Sequence, residues 1–265
     1  MIPKIIHYCW FGGNPLPELA LKCINSWKKN MPDYEIKEWN ETNYDVRKIP
    51  YIAQAYDAKK YAFVSDYARF DILYQYGGVY FDTDVEVLKD ISHIIANGAF
   101  IGIEKGEPPL LAAGLGIASP KETSIYKEIL DSYANDQFYK ADGTYNLKTV
   151  VTRVSDIFKE HGFLEKDCLQ TIENTTIYPS EYFCPKDCKT GEITFTKNTY
   201  TVHHYDASWV EPYYKILNSK ISNIYKALGK NFFSKIIILL YAFLYRISKT
   251  GIKATIKHYK SKGEK

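Results

Sequence analysis

Cysteine is scarce in this chain of 265 residues: five, at positions 9, 23, 168, 184 and 188. An odd number in a long chain excludes a disulfide framework as the source of its stability. Cys184 and Cys188 stand four apart but lack the other two ligands of a structural zinc site, so free thiols are expected. Long apolar runs are missing as well. Ile236 to Tyr245 is a ten-residue run between Lys235 and Arg246, short of the roughly 20 residues that span a bilayer. The glycine-containing turn Gly12-Gly13-Asn14-Pro15 carries no basic residue, which argues against a nucleotidyl-transfer phosphate loop. No internal repeat is visible. The opening Met1-Ile2-Pro3-Lys4 has no signal-peptide character, so a reducing cytoplasm is the expected compartment.

Apolar residues are ample at 46%, enough for a packed core in one large domain with an appendage. There are 24 Tyr and 4 Trp, side chains that suit stacking on sugars and bases but also serve as ordinary core. The net charge of +3 hides an asymmetry. Residues 215–265 hold 12 Lys and Arg against Glu264 alone, a charge of +11, which leaves −8 for residues 1–214. A basic tail on an acidic body points to an anionic surface as the tail's partner. Apolar and Lys-rich faces together favour an interfacial helix lying on a membrane over one packed on the body. No nucleic-acid motif is present, so nucleic acid is not an expected partner. The division expected is 1–214 for the catalytic body and 215–265 for a basic amphipathic helical tail.

Local patterning predicts a first strand over 3–11, a helix over 17–30 and a second strand from Tyr34 to Trp39. A helix over 56–76 follows, closed by Gly77, and then a short strand running into Asp82 and Asp84. Further strands are expected at 99–103, 114–118 and 192–205, with helices over 121–134 and 146–161. The tail reads as long helical periodicity over 218–262 with almost no turn signals. This alternation implies an α/β fold around a mainly parallel sheet, with ligands at the strand C-terminal ends.

The most informative stretch is residues 77–84, Gly-Gly-Val-Tyr-Phe-Asp-Thr-Asp. A strand sends i and i+2 to one side, so Asp82 and Asp84 leave the strand end able to approach one cation. Hard oxygen ligands suit Mg²⁺ or Mn²⁺, and a diphosphate can complete such a shell. Three other elements accompany the pair: Trp10 at the end of the first strand, Ser65-Asp66 with Arg69 on a helix, and His203-His204 followed by Ser208-Trp209. Taken singly, each has an ordinary structural reading. Asp66 and Arg69, for example, are i, i+3 neighbours. His203 and His204 point to opposite strand faces, so at most one faces a given site.

Together these blocks resemble glycosyltransferase family 32, sugar transferases with an Asp-x-Asp motif. The family includes bacterial capsule and lipopolysaccharide transferases and fungal initiating mannosyltransferases, and the same blocks recur in large clostridial glucosylating toxins. The resemblance rests on Ile2 to Gly13, on Ser65 through Asp84 and on His203 to Trp209. It implies a GT-A type fold, a nucleotide-sugar donor with UDP favoured over GDP, and a divalent metal, usually Mn²⁺. It also implies retention of anomeric configuration, for which a front-face departure and attack is the working mechanism. By position, Trp10 would stack on the base with the Cys9 backbone beside it. Ser65, Asp66 and Arg69 would hold the ribose and the transferred sugar, and Tyr80 would line the diphosphate site. Asp82 would sit by the ribose and metal, Asp84 would be the direct metal ligand, and His203 or His204 would add a late one. Ser208 and Trp209 would close over the β-phosphate. The acceptor, a saccharide or lipid-linked saccharide, is expected against residues 105–195, with Glu104 and Gly114–Gly116 as candidates. A toxin-like effector glycosylating a host protein, or a non-catalytic carbohydrate- or nucleotide-sugar-binding protein, are the rival readings.

Overall fold

The computed structural model describes residues 1–188, 190–206, 212–229 and 231–252. The chain divides into two compact units: Met1–Lys186 with Ile193–Trp209, and Asp187–Glu192 with Val210–Lys265.

The first unit opens with β1 (Ile5–Cys9), α1 (Glu18–Asn30) and β2 (Glu35–Trp39), then α2 (Pro50–Asp57) and α3 (Tyr61–Tyr76). Next come β3 (Gly78–Tyr80), β4 (Val85–Val87), α4 (Ser92–Ala96), β5 (Ala99–Glu104), β6 (Leu110–Leu111) and β7 (Ile117–Ser119). The elements α5 (Ser124–Asp131), α6 (Val150–Glu160), β8 (Gln170–Ile172), β9 (Thr175–Tyr178), α7 (Ser180–Phe183) and β10 (Thr201–His203) complete it. The central sheet has the order β2-β1-β3-β7-β5-β9-β8, with β6 paired on β5. β1, β2, β3, β5 and β9 run one way, and β6, β7 and β8 run against them. The fold is therefore mixed α/β with a mostly parallel central sheet. β10 and β4 form a separate antiparallel pair, in which His203 faces Val85.

Alternation along the strands builds two cores. Tyr80, Ile101, Ile103, Ile117 and Ile177 face the helices α2, α3, α5 and α6. Val79, Phe100, Ala118 and Tyr178, from the same strands, pack with α1 and α4 around Trp27.

The helix read over 56–76 is two helices. Lys59 takes a left-handed φ of 56°, and the Lys60 N–H reaches back to the Ala55 carbonyl at 2.8 Å. That 6→1 bond closes α2 as glycine usually does, so no Gly or Pro announces the break. The alternation over 192–205 yields a strand only at Thr201–His203; the Thr-rich stretch before it is held by side-chain turns, such as the one in which the Thr196 N–H donates to Thr199 Oγ1 at 2.9 Å. The segment around 114–118 is a strand only from Ile117.

The second unit contains α8 (Pro212–Leu228) and α9 (Phe232–Thr250). Gly229, at φ 71°, ends α8, and Asn231 and Ser234 form a reciprocal capping box that starts α9. The tail periodicity is therefore broken at a recognisable stop and start. No described helix is long and apolar enough to cross a membrane.

His7 tests the core directly. It is fully buried on β1. Trp39 Nε1–H donates to its Nδ1 at 3.0 Å, which leaves Nε2–H to donate to the Gly77 carbonyl at 2.9 Å. Burial, chiefly, pushes its pKa down to about 4, and a second proton would meet the Trp39 donor. An unfolded His binds that proton near pH 6.5. The stability contributed by neutral His7 is thus present above pH 6.5 and lost as pH falls toward 4. Between pH 7 and pH 5 the chain should lose about 2 kcal/mol that a His7→Gln variant does not lose. Urea unfolding at the two pH values measures this, and equal losses would contradict it.

Candidate active site

A cleft of about 690 Å³ opens at the C-terminal ends of β1, β3 and β5. This is the edge at which open α/β sheets take ligands. It is lined by Cys9, Trp10, Ser65, Asp66, Arg69, Asp82, Asp84 and His203, among others. With Glu104 to Leu115 and Thr149 to Thr152, six stretches far apart in sequence contribute to one hollow. A smaller hollow of about 250 Å³ lies beside Asp71, whose carboxylate is already taken by Tyr44, Lys48 and Gln75.

α3 presents Ser65, Asp66 and Arg69 on one face, as the i, i+1, i+4 spacing requires. Arg69 is buried, and its guanidinium forks between two carboxylates. Nη2 donates to Asp66 Oδ1 at 2.8 Å and lies 3.3 Å from Asp82 Oδ1, while Nη1 is 3.4 Å from Asp82 Oδ2. Its Nε–H donates to the Ser65 carbonyl at 3.1 Å, and the group lies over the Tyr80 ring at 4.9 Å. Burial alone would weaken its proton affinity, but Asp82, Tyr80 and Asp66 more than offset that. Asp66 shows the opposite balance. Burial pushes its pKa up to about 6 against the pull of Arg69. Its carboxylate also accepts from the Val150 backbone N–H at the start of α6. Sequence reading missed this capping role, because nothing local ties residue 66 to residue 150.

Asp82 and Asp84 leave β3 on a tight turn, in which the Val85 N–H donates to the Asp82 carbonyl at 3.0 Å. Tyr80 does not line the cleft. It is 1% exposed and stands behind the pair, with its hydroxyl donating to Asp82 Oδ1 at 2.9 Å. Tyr80 is therefore not on the cleft lining where the diphosphate is expected, because β3 turns that side chain into the core of α2, α3, α5 and α6. Gly114 packs under Asp82. A Cβ there would sit 2.1 Å from Asp82 Oδ2, so only glycine admits the observed carboxylate position.

Asp84 is held by the returning chain. His203 Nε2 lies 3.1 Å from Oδ1, and the Asp206 N–H donates to Oδ2 at 2.9 Å. Burial opposes its charge, yet the His203 imidazole and the Asp206 amide hold its pKa down at about 2. His203 is raised in turn: burial lowers its pKa, and Asp84 outweighs that effect. His204 turns away, with Nε2 2.8 Å from Glu86 Oε2. Of the doublet, the fold brings His203 to the aspartates.

Trp10 lies on the cleft wall, its Nε1–H bonded to the Asn14 carbonyl at 2.6 Å. Cys9 is buried beside it, and Ser65 donates to the Tyr61 carbonyl at 3.2 Å. Ser208 and Trp209 lie outside the described residues.

Among the described residues, no three His, Cys, Asp or Glu side chains converge into a preformed metal cage. The donor set still fits a hard divalent ion in part. Asp84 is ionised and retains acceptor capacity, and Asp82 stands two residues away with oxygens at the cleft. A cation held there would need oxygens from outside the chain.

Comparison with known proteins bears on what those oxygens belong to. Residues 17–101 match the family described as the glycosyltransferase sugar-binding region containing the DXD motif. The matched segment is similar to that region. It holds α1, α3 and the Asp82–Asp84 turn. Inositol phosphoceramide mannosyltransferase 1 of Schizosaccharomyces pombe is 29% identical over 139 residues, 48% of this chain and 42% of the relative. Inositol phosphoceramide mannosyltransferase 3 of the same yeast is 31% identical over 127 residues, 42% of this chain and 35% of the relative. The chain thus spans less than half the length of these relatives. Among solved structures, the PaToxG glycosyltransferase aligns over 60% of this chain and 68% of its own, at 21% identity and a TM-score of 0.46. Within the matched stretch the Asp-x-Asp sequence is Asp82-Thr83-Asp84.

Proposed function

We propose that the chain is a metal-dependent, retaining glycosyltransferase of GT-A type. It moves a hexose from a nucleotide sugar, UDP-linked in the favoured reading, to a saccharide or lipid-linked saccharide in surface-polysaccharide synthesis. One observation carries this reading: Trp10, Asp66, Arg69, Asp82, Asp84 and His203 converge on one cleft at the strand C-terminal ends.

Each residue then has a role that its surroundings support. Trp10 offers an aromatic face for the nucleotide base. Asp66 accepts sugar hydroxyls. Arg69, already forked between two carboxylates, fixes them and lends positive charge where the sugar–phosphate bond breaks. Asp84 and Asp82 would hold Mn²⁺ or Mg²⁺, with His203 orienting Asp84 through their hydrogen bond. When bound, the ion neutralises the charge that develops on the leaving diphosphate. The printed names of the yeast relatives concern mannose and inositol phosphoceramide, so a glycan or sphingolipid acceptor and mannose donors belong in the test.

The tail fits a lipid-borne acceptor. On α9, Phe232 and Phe233 are 72% and 73% exposed, and Leu239, Leu240 and Leu244 are also exposed. With the +11 charge of residues 215–265, this supports peripheral association with the anionic inner face of the cell membrane. Co-sedimentation with phosphatidylglycerol vesicles but not with neutral ones is the expected result, and equal binding to both would reject this role. The catalytic reading is tested by screening UDP- and GDP-sugars for hydrolysis with Mn²⁺ and with EDTA. One donor cleaved only with metal is expected. No cleavage and no binding of any donor would favour the non-catalytic alternative, and transfer to protein alone the toxin-like one.

A further inference from the structure

The cleft has a second end that these roles leave unused. Glu104 closes β5, which runs in the same direction as β3 two positions away across β7. Two strand spacings put it about 10 Å along the sheet from the Asp82 turn, on the side away from Trp10. Its side chain lines the cleft, partly buried, with no hydrogen bond or ion pair to a described residue, although its charge is among those that favour the protonated His203 imidazole. Almost every other acidic group of the site is engaged: Asp66 and Asp82 by Arg69, and Asp84 by His203. Beside Glu104 the wall is apolar, formed by Leu110, Ala112 and Val151, and Thr152 adds an exposed hydroxyl at the first turn of α6, which shares one hydrogen bond with the Thr149 hydroxyl at 3.1 Å and keeps further capacity. An open carboxylate, a hydroxyl and an apolar patch complement a sugar ring, which carries hydroxyls at its edge and C–H groups on its faces.

We propose that Glu104, with Thr152 and the Leu110–Ala112 wall, is the subsite for the acceptor saccharide, the carboxylate accepting hydrogen bonds from its hydroxyls. The assignment rests on the transferase reading above and adds the residue that selects the acceptor.

The test uses the full chain, Glu104→Gln and Glu104→Ala, with methyl α-mannoside, methyl β-galactoside and myo-inositol as probes. Binding is read by saturation-transfer NMR, and donor hydrolysis to water is read in parallel. At least one probe should bind the intact chain and weaken about tenfold or more in both variants, while hydrolysis stays within about twofold. Binding of no probe, or unchanged binding by the variants, overturns the proposal. Hydrolysis falling in step with probe binding also overturns it, because Glu104 would then serve the donor. If the intact chain cleaves no nucleotide sugar yet binds a probe through Glu104, the transferase reading fails and a saccharide site remains.

Discussion

Asp84→Asn should reduce donor hydrolysis by about 10²–10³-fold with little loss of fold, which is the range for removing one preorganised charge from a reacting centre. The substitution is nearly isosteric. Its remaining oxygen can still accept the Asp206 N–H or face His203. What disappears is the negative charge, held ionised down to about pH 2 in the intact chain. An amide is a poor ligand for a hard cation beside a carboxylate. The effect should therefore be largest in saturating donor and only partly recovered by excess Mn²⁺. Parallel rates for the intact chain and the variant, across a Mn²⁺ titration, decide the matter. Wild-type rates from the variant would remove Asp84 from the chemistry.

Arg69→Leu should cost about 3–5 kcal/mol of folding stability and abolish turnover. Arg69 is 4% exposed in its side chain and is the shared counter-charge of Asp66 and Asp82. Without it, two carboxylates face each other across the cleft floor. Asp66, whose pKa already stands near 6, can escape part of the penalty by taking up a proton. The loss should therefore fall toward the low end of the range. Arg69→Lys keeps a charge but not the fork, so it should recover part of the stability and little of the turnover. Urea unfolding of the three proteins gives the first quantity, and donor hydrolysis the second. An Arg69→Leu protein as stable as the intact chain would show that the ion triad is held apart by solvent.

The parts of the site legible in the sequence were those written within one element. Asp82 and Asp84 follow from a strand that ends in a charged turn, and Ser65, Asp66 and Arg69 from spacing on one helix. What stayed hidden depends on contacts across the sheet. Insertion of β7 between β3 and β5 brings Gly114 beneath Asp82 and sets Glu104 two strands away. No local period encodes that order. The α2–α3 break escaped notice because Lys59 takes a conformation that glycine usually marks. Only the resemblance set Tyr80 at the diphosphate; which face of β3 is core is decided by the packing of α2, α3, α5 and α6, which the local sequence does not encode. The choice of His203 over His204 required the β10–β4 pairing, a contact more than 100 residues apart in sequence.

The most direct test of the account is the location of the metal. Crystals of the intact chain grown with Mn²⁺ and UDP, with anomalous data collected at the manganese edge, should show one peak bound to Asp84. The diphosphate should supply the remaining oxygens, and the uracil should lie against Trp10. A manganese peak elsewhere, or UDP outside the cleft of Arg69 and Asp82, would contradict the central claim.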